Sequence, residues 1–458
     1  MDDPFVGTWE RRINEFLTEP VPDRVRKRGE KTVADVLAAA VAGSAVSEIE
    51  SVVRTVESGN GGASVLGTDR QLQPEQAALY NTTAAIAQEI EEGHNTGGHV
   101  GAGIVAGGLA LAETAGVDGE TFVDACVRAY EICVRLERAI FAMKDRINEA
   151  IPWLLRNPHS TWTTVGPALT GAICLGATAE ELRETFRIAA NLAVVSMHDP
   201  YAEGAPSRNF TAGFSAQAGV TAARLGTAGL SGSAASMTAV YDPFEEIVGD
   251  FSAEFETLGE SWAIEENYFK PYPSCRYTHP PLDALRDAID GESIDPDAIE
   301  RIVINTFSNA TDMDHAAPTT LTSAKFSTPY VLSRYLHDGS VELESFTDAA
   351  IAEPSVRRLA ERVELRESST YEAAFPESWG ASAEIRLRDG SELNGECAYP
   401  AGDYRSPIPD DQYRDRNREL LAHALGGDRA ETALEALETL GTRPIRATTA
   451  TLTPPHGN

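Results

Sequence analysis

Across residues 32–264 apolar side chains recur at intervals of three and four, and alanine and glycine fill much of what lies between. That period belongs to helices with one buried stripe, and side chains this small let helix axes approach closely. Residues 121–140 follow it throughout. Thr178-Ala-Glu-Glu181 has the form of a capping box, followed by Leu182, Phe186, Ala189 and Leu192 on one stripe. The stretch predicts a compact helical bundle.

Near Tyr268 the period changes. Residues 301–307 are rich in β-branched side chains. Ala383, Ile385 and Leu387 then alternate with Glu384, Arg386 and Arg388 and run into Asp389-Gly390, which predicts a β-hairpin. Helical patterns lie between these strands at 280–289 and 328–336, and return at 411–425 and 430–440. The expected fold is mainly α with a smaller α+β domain. It divides into a helical domain over 1–266, an α+β lid over 267–400, and C-terminal helices over 401–458 that return to the helical domain and end in a loose tail.

Charge narrows the function classes. Thirty-eight Lys and Arg face 70 Asp and Glu in 458 residues, a formal net charge of −32, and only five of the cations are lysine. Acidic residues are spread along the whole chain, as in haloarchaeal proteins that stay soluble in concentrated salt. So negative a surface disfavours nucleic acid and anionic membrane as partners. The hydrophobic content of 42% excludes wholesale disorder. There is no run of about 18 apolar residues, and the opening MDDPFVGTWERR has no signal-peptide apolar region. The expected location is the cytoplasm. The five cysteines include no C-x-x-C pair, and Cys126 and Cys133 have core spacing, so no metal site or disulfide framework is expected.

Three histidine-bearing segments could carry chemistry. The first runs Glu89-Ile-Glu91-Glu92-Gly-His94-Asn-Thr-Gly-Gly-His99, with carboxylates and imidazoles among glycines that allow close approach to a ligand. A polar loop capping the next helix is the plainer alternative. Glu91 and His94 have metal-ligand spacing, but the second Glu-x-x-His of a di-iron bundle is absent. The second segment places His159 just before a helix, where an anion is favoured. The third, Tyr268-Phe-Lys270-Pro-Tyr-Pro-Ser-Cys275-Arg276-Tyr-Thr-His279-Pro-Pro, gathers scarce cations on a proline-stiffened stretch. Arg offers a carboxylate a bidentate fork and Lys a point charge.

These phrases, with FLTEPVPDRVRKRGEKTVADVLAAAVAG, Ala77-Ala-Leu-Tyr-Asn81, HSTWTTVGPALTGAICLGATAEELRETFRIA, KFSTPYVLSRYLHDG and AYPAGDYRSP, resemble in order and spacing the MmgE/PrpD family. That family includes 2-methylcitrate dehydratases, cis-aconitate decarboxylase and an iminodisuccinate epimerase. The resemblance implies a large helical domain, a smaller α+β lid with a cleft between them, a homodimer, and no metal or organic cofactor. The family's acidic D-F-D-D-T stretch falls on Glu89 to Gly93, and its histidine in H-P-S or H-P-G falls on His99. A second family histidine falls on His159. A family lysine falls on Arg208 and another on Lys270, while some members carry histidine where Cys275 stands.

The resemblance thus implies a lyase acting on a small di- or tricarboxylate. The catalytic candidates are His99, His159, Glu89 and Glu91. The substrate-binding candidates are Arg208, Lys270, Cys275, Arg276, His279 and His94. Dehydration of a 2-methylcitrate-like acid is the leading reading, in which a base takes the proton beside a carboxylate and fixed cations stabilise the resulting charge. Decarboxylation or epimerisation of a related acid is the alternative within the family. A helical protein that binds acids without turning them over is the alternative outside it.

Overall fold

A computed structural model describes residues 5–55, 61–96, 98–141, 156–157, 159–193, 196–197, 204–235 and 252–454. Helix Asp23–Ser44 runs through the centre of the helical part. Its second half, from Thr32 onward, is buried on every side, which explains why small residues replace an amphipathic pattern there. It packs against Pro74–Ala87, Gly119–Phe141 and Asp410–Leu425. Ser207–Thr227 lies against His159–Cys174 and Pro74–Ala87. The capping box forms as the sequence predicts: Thr178 accepts from Glu181 N, and the Glu181 carboxylate accepts from Thr178 N at 2.7 Å.

One apolar core extends from Trp9 and Ile13 through Phe122, Ile132 and Phe186 to Ile264, and takes in Leu420, Leu421, Leu434 and Ile445 from the C-terminal helices. A second joins Leu282 and Leu285 to Ile299, Ile302, Ile304, Leu332 and Ile385. Each fully buried Ile or Leu contributes about 1.5–3 kcal/mol, so each core has its own driving force for collapse.

The second core lies on a four-stranded sheet ordered Val363–Glu367, Ile299–Thr306, Ala381–Leu387, Glu392–Cys397. The first pair is parallel and the others antiparallel, with Ile302 opposite both Val363 and Ile385. Ala381, Ala383 and Ile385 face inward while Glu384 and Arg386 face water. The predicted hairpin turns at Asp389-Gly390, where Gly390 has a φ of 91° and Asp389 Oδ1 accepts from Ser391 N at 2.9 Å. Helix His279–Ile289 covers the buried face. The fold is therefore mainly α with a smaller α+β part. Among the described residues no single helix is long and apolar enough to cross a membrane.

Two departures from the sequence pattern bear on the site. The apolar run after His99 is a π-helix over Ala102–Gly107 that becomes α-helical only at Gly108–Ala115; such wide turns often occur at functional sites. The parallel strand Val363–Glu367 (VELRE) alternates over only two apolar residues, Val363 and Leu365, too short a pattern to stand out.

Candidate active site

The acidic segment leaves helix Pro74–Ala87 and turns at Glu89, which has a φ of +50° although it is not glycine. A left-handed backbone at a bulky residue is strained and persists only where its surroundings hold it. The segment then pairs with the start of the third histidine-bearing stretch. Gly93 N donates to Tyr268 O at 3.1 Å, and Tyr268 N donates to Gly93 O at 2.8 Å. A Cβ at Gly93 would lie 2.4 Å from the Tyr268 hydroxyl and 2.5 Å from Gly98 O, so this position must be glycine for the two segments to meet.

That pairing brings six side chains together. Arg208, at the start of helix Ser207–Thr227, donates to Glu89 Oε1, and Lys270 Nζ donates to Glu89 Oε2 at 3.0 Å. Arg208 also donates to Asn209 Oδ1 at 3.0 Å and to His99 Nε2 at 2.9 Å. His99 Nδ1 is hydrogen-bonded to Glu91 Oε1. Arginine cannot accept, so His99 Nε2 carries the lone pair and Nδ1 donates to Glu91. The imidazole is therefore neutral in this arrangement, oriented by one carboxylate, with its basic nitrogen against the Arg208 guanidinium.

Burial would raise the carboxyls of Glu89 and Glu91. For Glu89, the charges of Arg208 and Lys270 outweigh burial and hold the group well below the usual carboxylate range. For Glu91, the charge of Lys270 and the hydrogen bond from His99 lower the group against burial and the repulsion of Glu89. The magnitudes favour this outcome: a charge pair at about 3 Å gains roughly 5 kcal/mol at an effective dielectric of about 20, and Glu89 has two such partners. Glu92 behaves differently. Among the described residues no cation is recorded in contact with it, and burial pushes it up to about 8 despite hydrogen bonds from Asn267, Gly101 N and Tyr130.

The other residues singled out from the sequence make different contacts or lie outside the described residues. Arg276, expected to grip a carboxylate, is buried and donates to Pro400 O, Ala401 O and His279 Nδ1, with its guanidinium 4.5 Å from the Tyr268 ring centre. It anchors the 400–401 loop. His279 takes that bond and reaches Ser274 O at 3.3 Å; burial, then Arg276 and Lys270, push its imidazole well below the usual range. His94 closes its own turn: its Nδ1 accepts from Thr96 N at 3.1 Å, and burial pushes it down to about 3. Cys275 is buried with Met313 and Phe326. His159 opens helix His159–Cys174, but its side chain lies outside the described residues.

Sequence reasoning missed Lys325 as a site residue. It is fully buried, and its Nζ donates to Gln88 O at 2.9 Å and Pro273 O at 2.8 Å. Phe326 beside it places its ring 5.0 Å from the Arg208 guanidinium. The available signal was lysine scarcity, the same signal that singled out Lys270. Among the described residues no three His, Cys, Asp or Glu side chains are grouped to hold a metal ion.

Comparison with known proteins places this arrangement. Cis-aconitate decarboxylase of Homo sapiens is 24% identical over 434 residues, covering 91% of this chain and 88% of that protein. Cis-aconitate decarboxylase of Aspergillus terreus is 23% identical over 443 residues, covering 88% and 86%. The cis-aconitate decarboxylase-like protein oryM of Aspergillus oryzae is 24% identical over 467 residues, covering 93% of each. The MmgE/PrpD N-terminal domain matches residues 11–255 and the MmgE/PrpD C-terminal domain residues 272–442, with Glu89, His99 and Arg208 in the first and Lys270 in the gap between them. The chain belongs to the MmgE/PrpD family.

Proposed function

We propose that the protein is a lyase acting on a small tricarboxylate, and that it eliminates water from a 2-methylcitrate-like hydroxy acid. The observation that carries this reading is His99, held between Glu91 and Arg208 with Nε2 unprotonated. A base so placed can take a proton from the carbon beside a carboxylate. The imidazolium that forms is stabilised by Glu91. The electron pair left on carbon moves into the adjacent carboxylate, and Arg208 and Lys270 stabilise the added charge. The hydroxyl on the neighbouring carbon leaves as water after an acid protonates it, and the family resemblance makes His159 the candidate for that group. The substrate carboxylate takes over the hydrogen bonds that Arg208 gives to Glu89 and His99 and that Lys270 gives to Glu89 in the unliganded protein, which frees the Nε2 lone pair for the proton. The proposal includes a homodimer, with the α+β domain acting as a lid and with no metal or organic cofactor.

The relatives favour a second reading, decarboxylation of a cis-aconitate-like acid, because those compared above are cis-aconitate decarboxylases or resemble them. One assay separates the two. Purified protein in concentrated KCl with EDTA is given 2-methylcitrate, citrate or cis-aconitate, and conjugated-alkene absorbance and released CO2 are followed together. Absorbance rising with 2-methylcitrate and without CO2 supports dehydration. CO2 released from cis-aconitate replaces it with decarboxylation. Silence on all three from folded protein overturns the tricarboxylate assignment.

A further inference from the structure

Helix Leu321–Lys325 and the residue after it reach every segment that supplies the site. At its start, Thr320 Oγ1 donates to Gly204 O at 3.2 Å, three residues before helix Ser207–Thr227, which carries Arg208. Gly204 has a φ of +67°, and a Cβ there would lie 2.6–2.8 Å from Ser323, so the contact is closely fitted. At its end, Lys325 O accepts from Cys275 N at 2.9 Å. Lys325 Nζ donates to the carbonyls of Gln88, next to Glu89, and Pro273, three residues after Lys270. The Phe326 ring lies beneath the Arg208 guanidinium.

We propose that Lys325, with Phe326, is the positioning element of the site, holding Glu89, Lys270 and Arg208 in one geometry from the α+β domain. This deepens the proposed function and rests on it for the substrate class. Lys325 is not itself placed to move a proton to substrate. Two of its N–H directions end on carbonyls, and its Nζ sits 4.1 Å from the centre of the Phe346 ring. Burial lowers the amine to about 7, with Lys270 adding to that, while Glu89 and Glu91 act to keep it protonated. The strained turn at Glu89 also requires an outside hold, and Lys325 supplies one at the carbonyl of the residue before it.

The test compares Lys325→Met, Lys325→Gln and wild type. Met fills nearly the same volume without donors, and Gln keeps two N–H donors without charge. Calorimetric binding of tricarballylate, which has no hydroxyl to eliminate, reads the receptor apart from turnover. Hydrogen exchange at Gly93, Tyr268 and Cys275 reads the clamp apart from any ligand. The expected result is at least about a tenfold loss of affinity in Lys325→Met with its Tm little changed, partial recovery in Lys325→Gln, and faster exchange at those three amides. Affinity within about twofold of wild type, or unchanged exchange, overturns the inference. If Lys325→Met does not fold, Lys325→Gln is decisive by the same criteria. Wild-type protein that fails to bind tricarballylate counts against the tricarboxylate reading alone, and exchange then decides the role of Lys325.

Discussion

Arg208 donates one N–H to His99 Nε2 at 2.9 Å and another to Glu89. One guanidinium thus sets the tautomer of the candidate base and also occupies the carboxylate that guards the cations. The fork is what allows both, since its donors diverge in one rigid plane.

Replacing His99 with Gln removes the lone pair at Nε2 while keeping a similar volume. We expect kcat to fall at least about a hundredfold with little change in Tm. Steady-state kinetics on the substrate identified above will check this; turnover near wild type removes His99 from the mechanism.

Arg208→Lys restores the residue the family resemblance places there, yet a point charge cannot serve Glu89 and His99 at once. The expected result is a kcat/KM reduced by about tenfold, with the larger part in kcat because His99 loses its orienting donor. A variant as active as wild type would show that charge alone matters at this position.

Glu89→Ala leaves Arg208 and Lys270 buried with no carboxylate between them. We expect a loss of about 3 kcal/mol at neutral pH, the usual cost of removing one partner from a buried pair. The carboxyl is depressed in the folded state, so its stabilisation is present above its ordinary value of 4.5 and is lost as pH falls below it. Denaturant unfolding should therefore show the gap between wild type and variant narrowing towards acid pH.

Glu92 has the opposite sign. Its folded-state value of about 8 lies above the ordinary 4.5, so the folded protein keeps a proton that the unfolded chain gives up. Stability should decline between those values as pH rises, and Glu92→Gln should flatten that decline in chemical denaturation. An unchanged slope would mean that the group is ionised in the fold.

The net charge of −32 predicts a response to salt. Raising KCl from about 0.1 to about 2 M shortens the screening length from about 10 Å to under 3 Å, which should raise Tm. A Tm that stays flat or falls would count against solvent adaptation as the origin of the acidic surface.

Much of this molecule is legible in the chain because the relevant physics is local. The period of three and four reports the buried stripe of Gly119–Phe141, and Thr178 with Glu181 writes its own cap. Alternation through Ala383 and Ile385 into Asp389-Gly390 specifies a hairpin whose inward and outward faces follow the pleat. The candidate segments around Glu89, His99 and Lys270 were also visible, through scarce residue types gathered at glycines and prolines.

Tertiary structure decided which of those groups meet. Glu89 reaches Arg208 across 119 positions and Lys270 across 181, and Gln88 is held by Lys325 from 237 positions away. No local period encodes such pairings, which depend on long-range contacts such as the Gly93–Tyr268 bridge. Arg276 and Lys325 show the consequence. Both are buried cations, and the sequence pattern singled out only Arg276, as one of the substrate-binding candidates. Their assignment turns on backbone carbonyls, those of Pro400 and Ala401 for one and of Gln88 and Pro273 for the other. A carbonyl is present at every residue, so only the folded chain determines which ones remain without a partner until a buried cation reaches them.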